Sequence, residues 1–167
     1  MKKILSLTMA LAMLGTALTG CGSKTAAPET SVEPAKQTAP VQQEQSQTEK
    51  ALALINTFAT GDTDTARSLL SGGYIQHNLA YGTGADAFVG SVEYLAAADV
   101  KTTVNNIRAF EDGDKVFMQT IYNFASAGEQ VAFDIFRFDE NGKIAEHWDV
   151  METIADQSTW QNQNGKF

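Results

Sequence analysis

The period of the apolar positions changes part-way along the chain. From about Glu49 to Leu95 they recur at helical spacing, and from Lys101 onward they alternate with the period of a strand. Leu52, Ile55 and Phe58 form the first stripe, Gly61 closes it, and Asp62 is placed to cap a second helix around residues 65–70. Gly72-Gly73 then reads as the left-handed turn after that helix. A third helix is predicted over residues 85–98, where Phe88, Val92 and Leu95 share a face that Val89 and Tyr94 widen. Before it lies a short extended run, Tyr74-Ile75-Gln76-His77-Asn78, followed by a glycine-flanked loop at residues 81–84 suited to the border of a pocket.

Residues 101–110 and 115–125 read as strands separated by the turn Glu111-Asp112-Gly113-Asp114. Residues 133–151, FDIFRFDENGKIAEHWDVM, hold two further strand-like runs around Asn141-Gly142, the strongest short-range hairpin signal. Helices followed by consecutive hairpins predict one α+β domain. Its three N-terminal helices lie on a curved antiparallel sheet of four long strands plus the short run.

A two-residue loop at Asn141-Gly142 sets Arg137 opposite Glu146, Phe136 opposite His147 and Asp134 opposite Asp149. Asp134, Phe136, Phe138, His147 and Asp149 then share one face, while Phe133, Ile135, Trp148 and Val150 cover the other. A longer loop would pair Asp134 with His147 and keep the same facing. Two opposed carboxylates repel unless something compensates. In a partly dry cavity one of them stays protonated while the other titrates normally, which divides acid and base roles. The plainer alternative is a solvated face, against which Phe136 and Phe138 argue. The two histidines of the chain, His77 and His147, both fall in polar-aromatic clusters.

Charge and composition place this domain in the cell. Lys2 and Lys3 precede an apolar run from Ile4 to Leu18 that is too short to span a bilayer, so residues 1–20 read as a secretory signal. It ends in Leu18-Thr19-Gly20-Cys21, which resembles the lipobox of bacterial lipoproteins and implies lipid attachment at Cys21. As the sole cysteine, Cys21 has no partner for an internal disulfide. Residues 22–47 are polar and carry all three prolines, a composition expected of a disordered tether, so the folded domain is expected over residues 48–167. The protein is thus expected on the outer side of a bacterial cell membrane, anchored by lipid. The formal charge of −8 becomes −10 without Lys2 and Lys3 (−8 − 2), and no basic cluster interrupts it, which argues against nucleic acid as a partner.

The order of elements resembles the nuclear transport factor 2-like cone. Tyr74 to Asn78, Phe133 to Phe138, Gly142-Lys143-Ile144 and Glu146-His147-Trp148-Asp149 resemble the signature stretches of SnoaL-like proteins, a family that includes cofactor-free polyketide cyclases. The resemblance implies that Asp149 is the acid-base carboxylate, with Asp134, His147 and His77 as further catalytic positions. Tyr74, Gln76, Asn78, Gln119, Phe136 and Phe138 are expected to line the ligand pocket. Two positions depart from the family habit: Leu79 stands where relatives often have proline, and Gln119 where they often have histidine.

Two functions follow: a cofactor-free cyclase- or isomerase-like enzyme on a small apolar carbonyl compound, or a binding module that holds a hydrophobic molecule without chemistry. His77, His147, Asp134 and Asp149 are acceptable metal ligands, but no close-spaced ligand motif joins them, and neither metal nor cofactor is expected. The half-apolar outer sheet face, with Ile135 and Trp148, calls for cover and predicts a homodimer.

Replacing Cys21 by alanine is expected to move the protein from the membrane fraction to the soluble fraction and to abolish lipid labelling. Unchanged fractionation and labelling would refute the anchor.

Overall fold

The computed structural model describes residues 44–167. The expected leader, Cys21 and nearly all of the expected tether lie outside the described residues. The fold begins at Ser46, whose hydroxyl accepts from the Glu49 amide while the Glu49 carboxylate accepts from the Ser46 amide, a reciprocal cap. It starts helix α1 (Gln47–Thr60), which buries Ala51, Leu54 and Ile55 with Phe58 packed at the edge. Gly61 ends α1 in the left-handed region at φ 75°, and Asp62 caps α2 (Thr63–Leu69), both as expected. Any Cβ at Gly61 would sit 2.8 Å from the Ala96 side chain, so glycine also sets how closely α1 approaches α3 (Ala85–Ala96).

Gly72-Gly73 is not a helix end. The chain turns extended at Leu70, and both glycines lie inside strand β1 (Leu70–Gln76). Neither has a positive φ. The cause is long-range: β1 adds to the edge of β5 (Ile144–Thr153), with Leu70 opposite Ile144 and Ile75 opposite Glu146. Five steps along β1 match two along β5, and the glycines lie in this slack.

The remaining strands are β2 (Thr103–Asp112), β3 (Lys115–Asn123) and β4 (Gln130–Phe138). The sheet order is β1-β5-β4-β3-β2. Four strands form the expected antiparallel meander, but β1 joins parallel to β5, so the sheet is mixed rather than wholly antiparallel. A parallel neighbour needs a long crossover, and α3 with β2 to β4 supplies it.

The register of the last hairpin holds as expected: Arg137 faces Glu146, Phe136 faces His147 and Asp134 faces Asp149. Its turn does not. Asp139 accepts from the Gly142 amide and donates to the Lys143 carbonyl, which closes a three-residue loop, with Gly142 at φ 67°. The pairing Phe138 to Ile144 is therefore one residue out of step with Arg137 to Glu146, and Ala145 is the extra residue that restores it. Because of this bulge Ile144 and Ala145, although adjacent, are both buried.

The core lies between the helices and the inner sheet face, where Val116, Met118, Tyr122, Ala132 and Phe136 meet Leu54, Ile55, Phe88 and Val92. On the outer face Phe110, Phe117, Phe133 and Val150 stay exposed. The C-terminal segment returns to this face, where the Lys166 carbonyl accepts from Gln119 Nε2 at 2.8 Å and Lys166 Nζ reaches Glu152 at 2.6 Å. Among the described residues no helix is long and apolar enough to cross a membrane.

Candidate functional site

Alternation along β4 and β5 turns Asp134, Phe136, His147 and Asp149 towards the helices. There they line a cavity of about 680 Å³. This is ample for a small organic molecule. Its walls are apolar and aromatic, with Ile55 and Phe58 from α1, Phe88 and Leu95 from α3, and Phe124 and Met151 from the sheet end. The exposed Tyr81 and Tyr94 stand at its rim.

The polar floor is ordered by backbone amides. The Asn78 amide, which can only donate, bonds to Gln76 Oε1 at 3.0 Å, and this fixes which end of the Gln76 side chain is nitrogen. Gln76 Nε2 therefore donates to His147 Nδ1 at 3.1 Å, and His147 carries its proton on Nε2. That nitrogen faces Asp134 Oδ1 at 3.2 Å, and Tyr122 Oη donates to Asp134 Oδ2 at 3.0 Å. Both oxygens of Asp134, which is only 3% exposed, are thus engaged.

Asp149 differs. The Ala80 amide bonds to Asn78 Oδ1 at 3.0 Å, and so Asn78 Nδ2 is the end that donates to Asp149 Oδ1, at 2.6 Å. The hydrogen bonds of the described residues leave the second Asp149 oxygen free. Burial pushes the Asp149 carboxyl above the usual aspartate range, against the pull of His147 and Asn78, and the Asp134 charge adds to the rise. Desolvation thus matters more here than the repulsion between opposed carboxylates. Burial, with help from both aspartates, also pushes the Tyr74 and Tyr122 hydroxyls well up, so they remain proton donors.

Not all expected site residues meet here. Asp134, His147, Asp149, Tyr74, Gln76 and Phe136 line the cavity, and Asn78 holds Asp149 from behind. Phe138 is buried in the core and is not part of the cavity wall. His77 lies on the opposite face, stacked on Trp148 with ring centroids 4.4 Å apart and bonded to Glu146 at 2.9 Å. Successive strand residues alternate, so Gln76 and His77 cannot both point inward. Gln119 also faces outward, under the C-terminal segment. The residue the sequence reading missed is Tyr122; it shares the inner face of β3 with Val116 and Met118, a parity visible in the sequence.

Asp134, His147 and Asp149 each offer a metal-binding atom, all within 4.8 Å of one another. The hydrogen-bond pattern accounts for this closeness, because the His147 lone pair is turned to Gln76 and both Asp134 oxygens are occupied.

The sequence model of the SnoaL-like domain family matches residues 51–147, ending two residues before Asp149. No curated protein matches the chain. Among solved structures the chain is similar to an NTF2-like protein of unknown function from Cytophaga hutchinsonii, with 14% identity, TM-score 0.57, and 67% of this chain and 95% of that one covered. It is also similar to an LEH-like epoxide hydrolase of M. tuberculosis, with 17% identity, TM-score 0.56 and coverage of 64% and 82%. A third is IdmH of Streptomyces antibioticus, a candidate polyketide cyclase, with 18% identity, TM-score 0.52 and coverage of 65% and 93%. At these identities the likeness shows a shared fold.

The raised Asp149 carboxyl has a consequence for stability. An acid whose folded pKa exceeds its unfolded value stabilises the fold when protonated, and that contribution is lost as pH rises through the folded value. Asp149→Asn keeps the Asn78 contact and cannot ionise. It is expected to be more stable than the parent at pH 7 by roughly 1 kcal/mol, the scale of a cross-strand pair. The gap should shrink as the pH falls towards ~4. Urea denaturation across that range measures it, and a gap that stays constant with pH would show that Asp149 ionises as a solvated carboxyl.

Proposed function

The chain belongs to the SnoaL-like domain family, and on that premise we propose that it is a membrane-tethered, cofactor-free acid-base catalyst for a small hydrophobic carbonyl compound. The observation that carries this reading is Asp149, a carboxylate with one oxygen left free by the described residues at the floor of an apolar cavity, its pKa raised by burial above the usual aspartate range. Such a group removes a proton from carbon and returns it. Asp149 takes the proton α to the carbonyl, and the C–H electron pair becomes the enolate. The enolate carbon then attacks a second carbonyl of the same molecule, giving an aldol ring closure, or is reprotonated elsewhere, giving an isomer. In the first case the proton on Asp149 passes to the new alkoxide. Asn78 aims the carboxylate, and the engaged Asp134 with His147 and Tyr122 keeps the floor in one arrangement. The names of two structural neighbours, a candidate polyketide cyclase and an epoxide hydrolase, agree with acid-base work in such a cavity. The lipobox-like ending at Cys21 supports tethering on the outer side of a bacterial membrane.

The outer sheet face supports self-association. Phe110, Phe117 and Phe133 are 64%, 40% and 57% exposed there, with Val150 beside them, and a second copy of the face would cover them. Sedimentation of the purified chain at micromolar concentration is expected to give a dimer; a clean monomer would rule this out.

Proton exchange tests the catalytic reading without the natural substrate. In D2O the protein is expected to accelerate deuterium uptake at the α-carbons of 2-tetralone, followed by NMR. Asp149→Asn should lower the rate by on the order of a hundredfold while affinity changes little. Binding of the ketone with no exchange, or exchange indifferent to Asp149→Asn, would leave a module that holds a hydrophobic molecule without chemistry.

A further inference from the structure

The cavity floor carries negative charge that the described residues do not neutralise. Among the described residues Asp134 and Asp149 are the only acids on the wall, and no lysine or arginine lines it. The partners of these carboxylates are an amide (Asn78), a phenol (Tyr122) and one imidazole (His147), whose Nδ1 the Gln76 amide already occupies, so two acids face a single basic side chain. Neutral donors disperse a buried charge, but they do not cancel it. The walls favour a positive guest as well. Tyr74, Phe58, Phe88, Tyr122 and Phe124 present ring faces or edges to the cavity, and Tyr81 and Tyr94 stand at its rim. Aromatic faces attract cations.

A separate feature concerns the ligand's other end. The Tyr74 residue is 2% exposed, and its oxygen accepts from Gln76 Nε2 at 3.4 Å. Its own proton meets no acceptor among the described residues, although the hydroxyl belongs to the cavity wall. It is therefore available to an oxygen of the guest.

We propose that the cavity is selective for an organic cation: a hydrophobic molecule carrying a protonated amine, whose charge offsets that of the floor and whose carbonyl oxygen accepts from Tyr74. This rests on the reading of the cavity as the ligand site and names the charge of its ligand. An inorganic cation fits less well, since the His147 lone pair is turned to Gln76 and most of the wall is hydrocarbon. Anionic molecules such as carboxylates and phosphate esters are excluded by the same field.

Three non-reacting probes with one skeleton test the charge: 1-naphthylmethylammonium, 1-naphthalenemethanol and 1-naphthoate, titrated calorimetrically into the purified chain at pH 7. The ammonium is expected to bind at least about tenfold more tightly than the alcohol, with naphthoate weakest. Asp149→Asn should reduce the preference for the ammonium, and Asp134→Asn should do so independently, each checked for folding by circular dichroism. Equal binding of alcohol and ammonium, or a preference that survives both substitutions, overturns the proposal and leaves the acid-base reading standing. If no probe binds, the cavity reading falls too. Zinc alone, titrated into EDTA-treated protein, is expected not to displace the ammonium; stoichiometric zinc that does displace it would make the cation inorganic and overturn the assignment.

Discussion

One inserted residue decides what the cavity contains. Ala145 is the extra step in β5 that brings Glu146, His147 and Asp149 back into register after a three-residue turn. A strand exposes alternate side chains to its two faces, so a slip by one position would exchange the whole set. Without the bulge, Glu146 and Trp148 would point among the helices, and His147 and Asp149 would point outward. The salt link from Arg137 to Glu146 holds the corrected register on the outer side, while Ile144 and Ala145 bury themselves next to it. The floor of the cavity, its charge and its hydrogen bonds all follow from that offset.

The second constraint is that main-chain donors cannot reverse their roles. The Asn78 and Ala80 amides each determine the orientation of a neighbouring side-chain amide. Those side chains then settle the tautomer of His147 and the partner of Asp149. Proton positions at the centre of the site are thereby set from a strand end and the loop after it by main-chain amides, which do not titrate. A mutable surface residue could not do this as reliably, because its own orientation would need fixing.

The sequence made much of this legible, and its failures have separate causes. Stripes and caps located the three helices because both are local: Gly61 and Asp62 lie within a few residues of what they terminate. The opposed carboxylates were found through two errors of one residue that cancelled, since a two-residue turn without a bulge and a three-residue turn with Ala145 give the same pairing. Gly72-Gly73 was misread because pairing with β5 involves residues about seventy positions away, which no local pattern reports. His77 and Gln119 were placed by their chemistry when strand parity already turned them outward. Tyr122 was missed because its link to Asp134 runs across the pairing of β3 with β4, whose register the six-residue connection between them does not announce in the sequence.

The parallel edge strand also governs the order in which the molecule can assemble. The meander from β2 to β5 joins neighbours in sequence, so each pairing closes a short loop. Pairing of β1 with β5 must bring together residues separated by the whole of α3 and three strands, and such contacts are costly in chain entropy until the rest is in place. Gln76 and Asn78 ride on that strand and its exit, and their bonds to His147 and Asp149 span 71 residues. The acidic floor is built within one hairpin, whereas the groups that aim it depend on the sheet pairing most distant in sequence. A nascent or partly unfolded chain therefore carries both aspartates but no organised site, and competence to bind becomes a property of the completed fold.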